Sequence, residues 1–262
     1  MERIFVIKIG GNVLDNPGLL KQFLGDFSAI REPKILIHGG GKIATRVGDQ
    51  LGIQSVYVDG RRITDEPTRD LVTMVYGGLV NKQIVATLQR LGCNAVGLTG
   101  ADGNAIRAVK RPVKTIDYGF AGDVTPADVN TAWLHMLLNQ AMVPVFAPLT
   151  HADGAMLNTN ADTIASVLAV ALSAMYRVRL IFCFEKKGVL ADVNDLHSVV
   201  RHMPRRLYEE LLAKKALADG ILPKLENAFS AIRAGVKEVL IGEAGDLLKN
   251  TGDDTEGTLI TA

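Results

Sequence analysis

Short, unbroken apolar runs recur along the chain and alternate with stretches whose apolar positions lie three and four residues apart. The runs at 4–9, 35–37, 95–98, 143–149, 180–184 and 239–241 predict strands, and the first is a β-branched and aromatic run of the kind buried on both faces of a parallel sheet. Between the first two, Leu19, Leu20, Phe23, Leu24 and Phe27 predict a crossover helix over 17–30, which makes a βαβ unit. A second helix is expected to run from the glycines after residue 38 to about residue 51, and a short strand over 56–58. Leu71, Val75, Leu79, Ile84 and Leu88 predict a long helix over 66–91, bent at Gly77 and Gly78 and apolar enough to serve as a dimer surface. Segments 113–116 and 120–124, parted by Asp117, Tyr118 and Gly119, read as a hairpin or lid over one side of a cleft. Ile164, Val167, Leu168, Ala171 and Leu172 share one helical face, and residues 205–214 form an amphipathic helix. Pro223 stands just inside a further helix start, with Leu225, Phe229 and Ile232 on its apolar face and Gly235 at its end. Strand and helix alternation of this kind predicts one α/β fold, a mainly parallel sheet with helices on both faces.

Composition narrows the partners more than the fold. With 262 residues, 48% of them hydrophobic and 22% charged, the chain is long enough for one large domain or two lobes. A net charge of +1 supplies no field for nucleic acid or an anionic membrane, so any ligand is recognised by a local site. Cys93 and Cys183 lie in or beside apolar runs and read as buried free thiols of a reducing compartment, the cytoplasm. No apolar run reaches the ~18 residues of a membrane span, and no signal peptide is evident.

The candidate chemistry sits where strands stop. The first run ends in Lys8, Gly10 and Gly11, and the second in His38, Gly39, Gly40 and Gly41, each followed by a helical pattern. Backbone N–H groups at a glycine-led helix start form an anion site, so a phosphate gripped from two sides is expected. Lys8, near the end of a buried strand, is either a stem reaching the surface or a charge aimed at that ligand; His38 reads as a strand-end hydrogen bond. Of Arg61 and Arg62, one is expected to be solvated and the other to fork a carboxylate. Asn158, Asn160 and Asp162 cluster at a helix start, more polar side chains than a cap needs. Lys224 lies in a first helical turn, where the dipole disfavours a cation and an anionic partner is called for.

Gly41-Lys42 is followed by Ile43, so no Walker A loop is present. Gly39, Gly41 and Ala44, with Asp59 beyond, fit a dinucleotide fingerprint and leave an NAD-type oxidoreductase open, but that reading gives Lys8, the Asn158 cluster and Lys224 no work. A kinase acting on a carboxylate uses all of them. Its nucleophile is already ionised at pH 7, so the site must supply positive charge rather than a general base.

Taken together, the IKIGGN, HGGGK, DGRRIT, LNTNAD and DGILPK segments resemble the amino acid kinase family over essentially the whole chain, and in particular its members that phosphorylate an N-acylated glutamate in arginine (ornithine) biosynthesis. The resemblance implies an open three-layer αβα sandwich. Residues 1–175 would form an N-terminal lobe for the acyl amino acid and the dimer contact, and 176–262 a C-terminal lobe for ATP. It implies Lys8 and Lys224 as the lysines at the transition state and Asp162 as the acid that orients them. Gly10, Gly11 and Gly40 would bind phosphate; Gly40, Gly41, Arg62, Asn158 and Asn160 would hold the substrate. Glu185, Lys186, Gly188, Asp219, Gly220 and Lys224 would meet the nucleotide, with Mg²⁺ held mainly by the ATP phosphates. Acetyl is the expected acyl group; succinyl is the alternative, with Arg61 or Arg107 serving its extra acid. Two departures from the family pattern stand out. Phe184, Glu185 and Lys186 replace a Thr/Ser-Asp-Val type turn, which also leaves a non-catalytic amino-acid sensor thinkable. The chain starts at its first strand, without the extra helix that interlaces arginine-inhibited hexamers, so a homodimer without arginine feedback is expected.

Overall fold

The structure, a computed structural model, describes all residues except 193, 196–197, 214–216 and 218–220, together with the side chain of residue 223. From the N-terminus, β1 (Arg3–Ile9) leads through α1 (Gly11–Asp15) and α2 (Pro17–Ala29) to β2 (Lys34–His38) and α3 (Gly41–Gln50). A ribbon of β3 (Tyr57–Val58) and β4 (Arg61–Arg62) precedes α4 (Glu66–Val72), a π-helical segment (Thr73–Val80) and α5 (Asn81–Arg90). Next come β5 (Ala95–Leu98), the ribbon β6 (Val109–Lys110) and β7 (Gly122–Asp123), α6 (Thr131–Asn139), β8 (Val143–Phe146) and the hairpin β9 (Leu149–Ala152) and β10 (Ala155–Asn158). The chain closes with α7 (Ala161–Leu172), β11 (Arg177–Phe184), β12 (His202–Pro204), α8 (Arg205–Ala213), α9 (Leu222–Arg233), β13 (Glu238–Glu243), α10 (Leu247–Thr251) and β14 (Thr258–Thr261).

Eight strands form one sheet in the order β12-β14-β13-β11-β1-β2-β8-β5. Six run parallel; β14 is antiparallel to β13, and β12 is parallel to β14. Alternation along each central strand sorts its side chains into two cores. Ile4, Val6, Ile35, Ile37, Leu180 and Phe182 face α6, α7 and α9, whereas Phe5, Ile7, Leu36, Ile181 and Cys183 face α2 and the α4–α5 rod. The period of two on a pleated strand therefore produces the three layers. Lys8 has the parity of Ile4 and Val6, which aims it at the α7 layer.

Several boundaries differ from the sequence expectation for identifiable reasons. The run 143–149 is two strands, because Pro148 has no N–H to donate and Leu149 starts a hairpin instead. The expected ribbon partner of 120–124 is not 113–116 but Val109–Lys110, paired with Gly122–Asp123. Gly77 and Gly78 fall inside the π-helical turn rather than at a simple bend. The rod Glu66–Arg90 is long and apolar enough by length and composition to cross a membrane, yet Leu71, Val72, Val75, Ile84 and Leu88 are buried against the sheet, the pattern of a core helix. Cys93 and Cys183 are both buried and free.

Candidate active site

The parallel strands deliver β1, β2 and β11 side by side, so the loops after them converge at one sheet edge. The two glycine loops touch: the Gly39 N–H donates to the Ile9 carbonyl at 3.1 Å, and a Cβ on Gly39 would stand 3.6 Å from the Gly11 nitrogen. Gly40 has φ +149°, and a Cβ there would come within 2.9 Å of the Tyr76 ring, so only glycine fits. Gly10 and Gly40 are the N-caps of α1 and α3, and neither helix start is capped by a side chain. Free N–H groups from both therefore point outward at the junction.

Above that junction Lys8 Nζ lies 2.8 Å from Asp162 Oδ1. The contact is ionic, without the alignment of a hydrogen bond, and Oδ1 has no hydrogen-bond partner among the described residues. Asp162 is placed by the first turn of α7, whose N-cap is Asn160, with Oδ1 accepting from Thr163 N–H at 3.0 Å. Lys224, in the first turn of α9, brings its ammonium 3.6 Å from the Phe184 ring centroid, and Lys8 Nζ lies 5.7 Å from the same centroid. Burial pushes the Lys224 ammonium below the usual lysine range and the Lys8 charge adds to this, opposed by the carboxylates of Asp162 and Glu185. Both lysines thus share one site, although residue numbers 8 and 224 lie at opposite ends of the chain.

Two cavities adjoin at Gly41 and Tyr57. The larger, about 880 Å³, is lined by Gly10, Gly11, Gly41, Glu185, Lys186, Gly188 and Lys224 among the sequence-predicted residues. The smaller, about 210 Å³, is lined by Gly40, Gly41, Arg62, Asn158 and Asn160. Asp219 and Gly220 lie outside the described residues. Arg61 is the exposed member of its pair and Arg62 the buried one, 6% exposed. The Arg62 guanidinium donates to the Gly41 carbonyl at 2.9 Å, to Thr45 Oγ1 at 3.0 Å, and to Ser55 and the Tyr57 hydroxyl. Asn158 Nδ2 donates to Thr64 Oγ1 at 3.0 Å. Arg107 is exposed and not part of either lining.

His38 takes the strand-end role. It is fully buried, its Nδ1 2.7 Å from the Gly39 carbonyl and its Nε2 3.1 Å from Asn81 Nδ2. Burial depresses its pKa to about 4, which fits a neutral ring donating through Nδ1. Asp59 lies in the turn between β3 and β4, at φ +49°, away from the end of any strand in the main sheet, so the dinucleotide fingerprint lacks its acid.

Sequence reasoning missed Tyr57, Tyr76 and Arg111, which line the smaller cavity, and Ile221 and Glu243, which line the larger. The pairing of Tyr57 with Arg62 lies one residue beyond the Val58 and Arg61 that flank the Asp59-Gly60 turn, so it was legible in that two-residue turn; nothing local marks the others. Among the described residues no group of three or more His, Cys, Asp or Glu side chains converges to hold a metal ion.

Residues 3–243 match the model of the amino acid kinase family. The chain is 52% identical over 265 residues to an acetylglutamate kinase from Cytophaga hutchinsonii, covering all of both chains. It is 55% identical to one from Bacteroides thetaiotaomicron, covering 96% of this chain and 97% of that one. Among solved structures, N-acetylglutamate synthase from Neisseria gonorrhoeae in complex with coenzyme A and N-acetylglutamate superimposes with a TM-score of 0.81 over 100% of this chain and 59% of that one. At 23% identity, that likeness speaks for the fold alone.

Proposed function

Because the chain belongs to the amino acid kinase family, we infer that it transfers the γ-phosphoryl group of ATP to the side-chain carboxylate of N-acetyl-L-glutamate, giving N-acetylglutamyl 5-phosphate in arginine biosynthesis. The observation that carries this reading is the Lys8–Asp162 pair and Lys224 meeting at the Phe184 ring beside the glycine loops, with Lys224 on the wall of the larger cavity. An ionised carboxylate attacking a phosphoryl group needs its repulsion cancelled, and each ammonium about 4 Å away offers roughly 4 kcal/mol at an effective dielectric of about 20, before desolvation. Asp162 holds Lys8 in place, and the N–H groups of Gly11 and Gly40 add donors that need no reorganisation. Arg62 and Asn158 are assigned to the acyl amino acid and Asn160 to its support. Acylation of the substrate removes the α-ammonium and prevents the activated product from cyclising.

In this assignment residues 1–175 carry the acyl amino acid and 176–262 the nucleotide, with Glu185, Lys186 and Gly188 on the wall of the larger cavity. That cavity, floored by glycine N–H groups and Lys224, suits a triphosphate. Mg²⁺, bound mainly by the ATP phosphates, would neutralise their charge. The two buried thiols suit the reducing cytoplasm. A homodimer is expected through the face bearing Met74 and Leu79, which are 56% and 44% exposed; light scattering that gives a monomer would refute it.

A second acyl group has a specific observation behind it. Arg61 and Arg111 line the same small cavity as Arg62, so a succinyl group would find a cation for its extra acid. ADP release with N-acetyl- and N-succinyl-L-glutamate tests both readings together. Release with the acetyl compound at the higher kcat/KM is expected; preference for the succinyl compound moves the specificity to the second reading, and release with neither overturns the kinase.

A further inference from the structure

Lys8 has a carboxylate beside it, but among the described residues Lys224 makes neither an ion pair within 4.0 Å nor a hydrogen bond. What it touches is Phe184. The ring ends β11 on the same face as Phe182, and the two rings stack with centroids 6.1 Å apart and planes 21° apart, which fixes the tilt of Phe184. Lys224 Nζ at 3.6 Å makes the shortest cation–ring contact among the described residues, and Lys8 Nζ at 5.7 Å is still in range of the same ring. The electron-rich ring face attracts both ammonium groups without bringing a formal negative charge. A carboxylate in its place would hold the lysines more strongly but would repel the incoming phosphate and substrate acid.

We propose that Phe184 is a positioning residue for phosphoryl transfer: its ring seats the Lys224 ammonium beside Lys8 before the anionic reactants arrive. The inference rests on the phosphoryl-transfer reading above and adds a role for a side chain at the point where this chain departs from its family's pattern. The charged groups facing Lys224 are Lys8 from β1, Asp162 from α7 and Glu185 after β11. Burial already pushes Lys224 toward its neutral form, so losing the ring's attraction for the cation must push it further.

The test uses the full chain with ATP, Mg²⁺ and the acyl glutamate, recording kcat, KM and the pH profile. Phe184→Leu is expected to lower kcat about tenfold, with a smaller change in the KM for the acyl glutamate, and to move the alkaline limb of kcat down by about one pH unit. Phe184→Tyr, which keeps the ring face, is expected to recover most of both. Pentafluorophenylalanine at position 184 keeps the shape and reverses the ring's quadrupole; it should behave like leucine. A fluorinated protein with the wild-type rate and alkaline limb overturns the proposal, whether or not the leucine variant folds. A wild-type chain that releases no ADP with either acyl glutamate counts instead against the kinase reading itself.

Discussion

The two ends of the central sheet each gather cations around a carboxylate, and they treat the charge in opposite ways. At the N-terminal strand ends, Glu238 accepts from Arg179 at 2.6 Å through Oε2 and from Arg177 at 3.0 Å through Oε1. Arg179, 2% exposed, also donates to the carbonyls of Asn250 at 3.1 Å and Gly252 at 2.5 Å. At the C-terminal strand ends, Asp162 meets only one lysine closely among the described residues, and Lys224 rests on a ring. A cluster in which a carboxylate and two backbone carbonyls hold a buried guanidinium ties segments together, here fastening the turn before β14 to β11. A cluster whose second ammonium has no carboxylate within 4.0 Å among the described residues is arranged for an anion from outside.

Substitutions at either end should separate these roles, and the largest effect on turnover is expected at the open one. Lys8→Ala or Lys224→Ala should lower kcat by about 10²–10³, the cost of losing one electrostatic contact made in the transition state, with little change in the urea midpoint. A steady-state assay checks this; a variant with full kcat removes that lysine from the mechanism. At the closed end the loss should appear in stability instead. Arg179→Ala leaves Glu238 without its buried partner and is expected to cost about 3–5 kcal/mol of unfolding free energy, while folded enzyme keeps its turnover. Equal activity loss per folded molecule would break the contrast.

His38 sharpens the comparison because it stands at the open end yet is fully partnered. Its pKa is depressed to about 4 in the folded state against about 6.5 when unfolded, so the unfolded chain binds the extra proton. The stabilisation is therefore complete above pH 6.5 and is lost as the pH falls toward 4. Between pH 7 and 5 this amounts to about 2 kcal/mol, and chemical denaturation of His38→Gln at the two pH values should show that part of the slope removed. The smallest effect belongs to the helix that presents Asp162. Asn160→Ala loses the cap on Thr163 and is expected to cost about 1 kcal/mol. If kcat falls tenfold or more without such a loss, Asn160 contacts the reactants rather than supporting them.

Much of this was legible along the chain because the signals are local. Continuous apolar runs marked the central strands, Lys8 stood out as a charge inside one of them, and Gly39 to Gly41 announced a close backbone approach. Asn160 could be read as a cap and Asp162 as a first-turn acid, as α7 bears out. Other features carried no local mark. Arg61 and Arg62 have the same chemistry, and which one is buried depends on the twist of the β3/β4 ribbon against Thr45 and Ser55. The break at Pro148 was readable from its missing N–H, but the partner of the 120–124 segment depended on a register that loop composition does not specify.

The order of residues settled the alternation of strands and helices, the parity that turns Lys8 toward one layer, and the types of side chain available at each strand end, since backbone sterics and burial act over a few neighbours. Folding settled which of those ends became neighbours: Lys8 beside Asp162, Lys224 over Phe184, and Arg179 locked to Glu238. Those meetings depend on strand order and helix docking, which are decided by the packing of the entire sheet, and a cation's partner across that distance leaves no trace beside it in the chain.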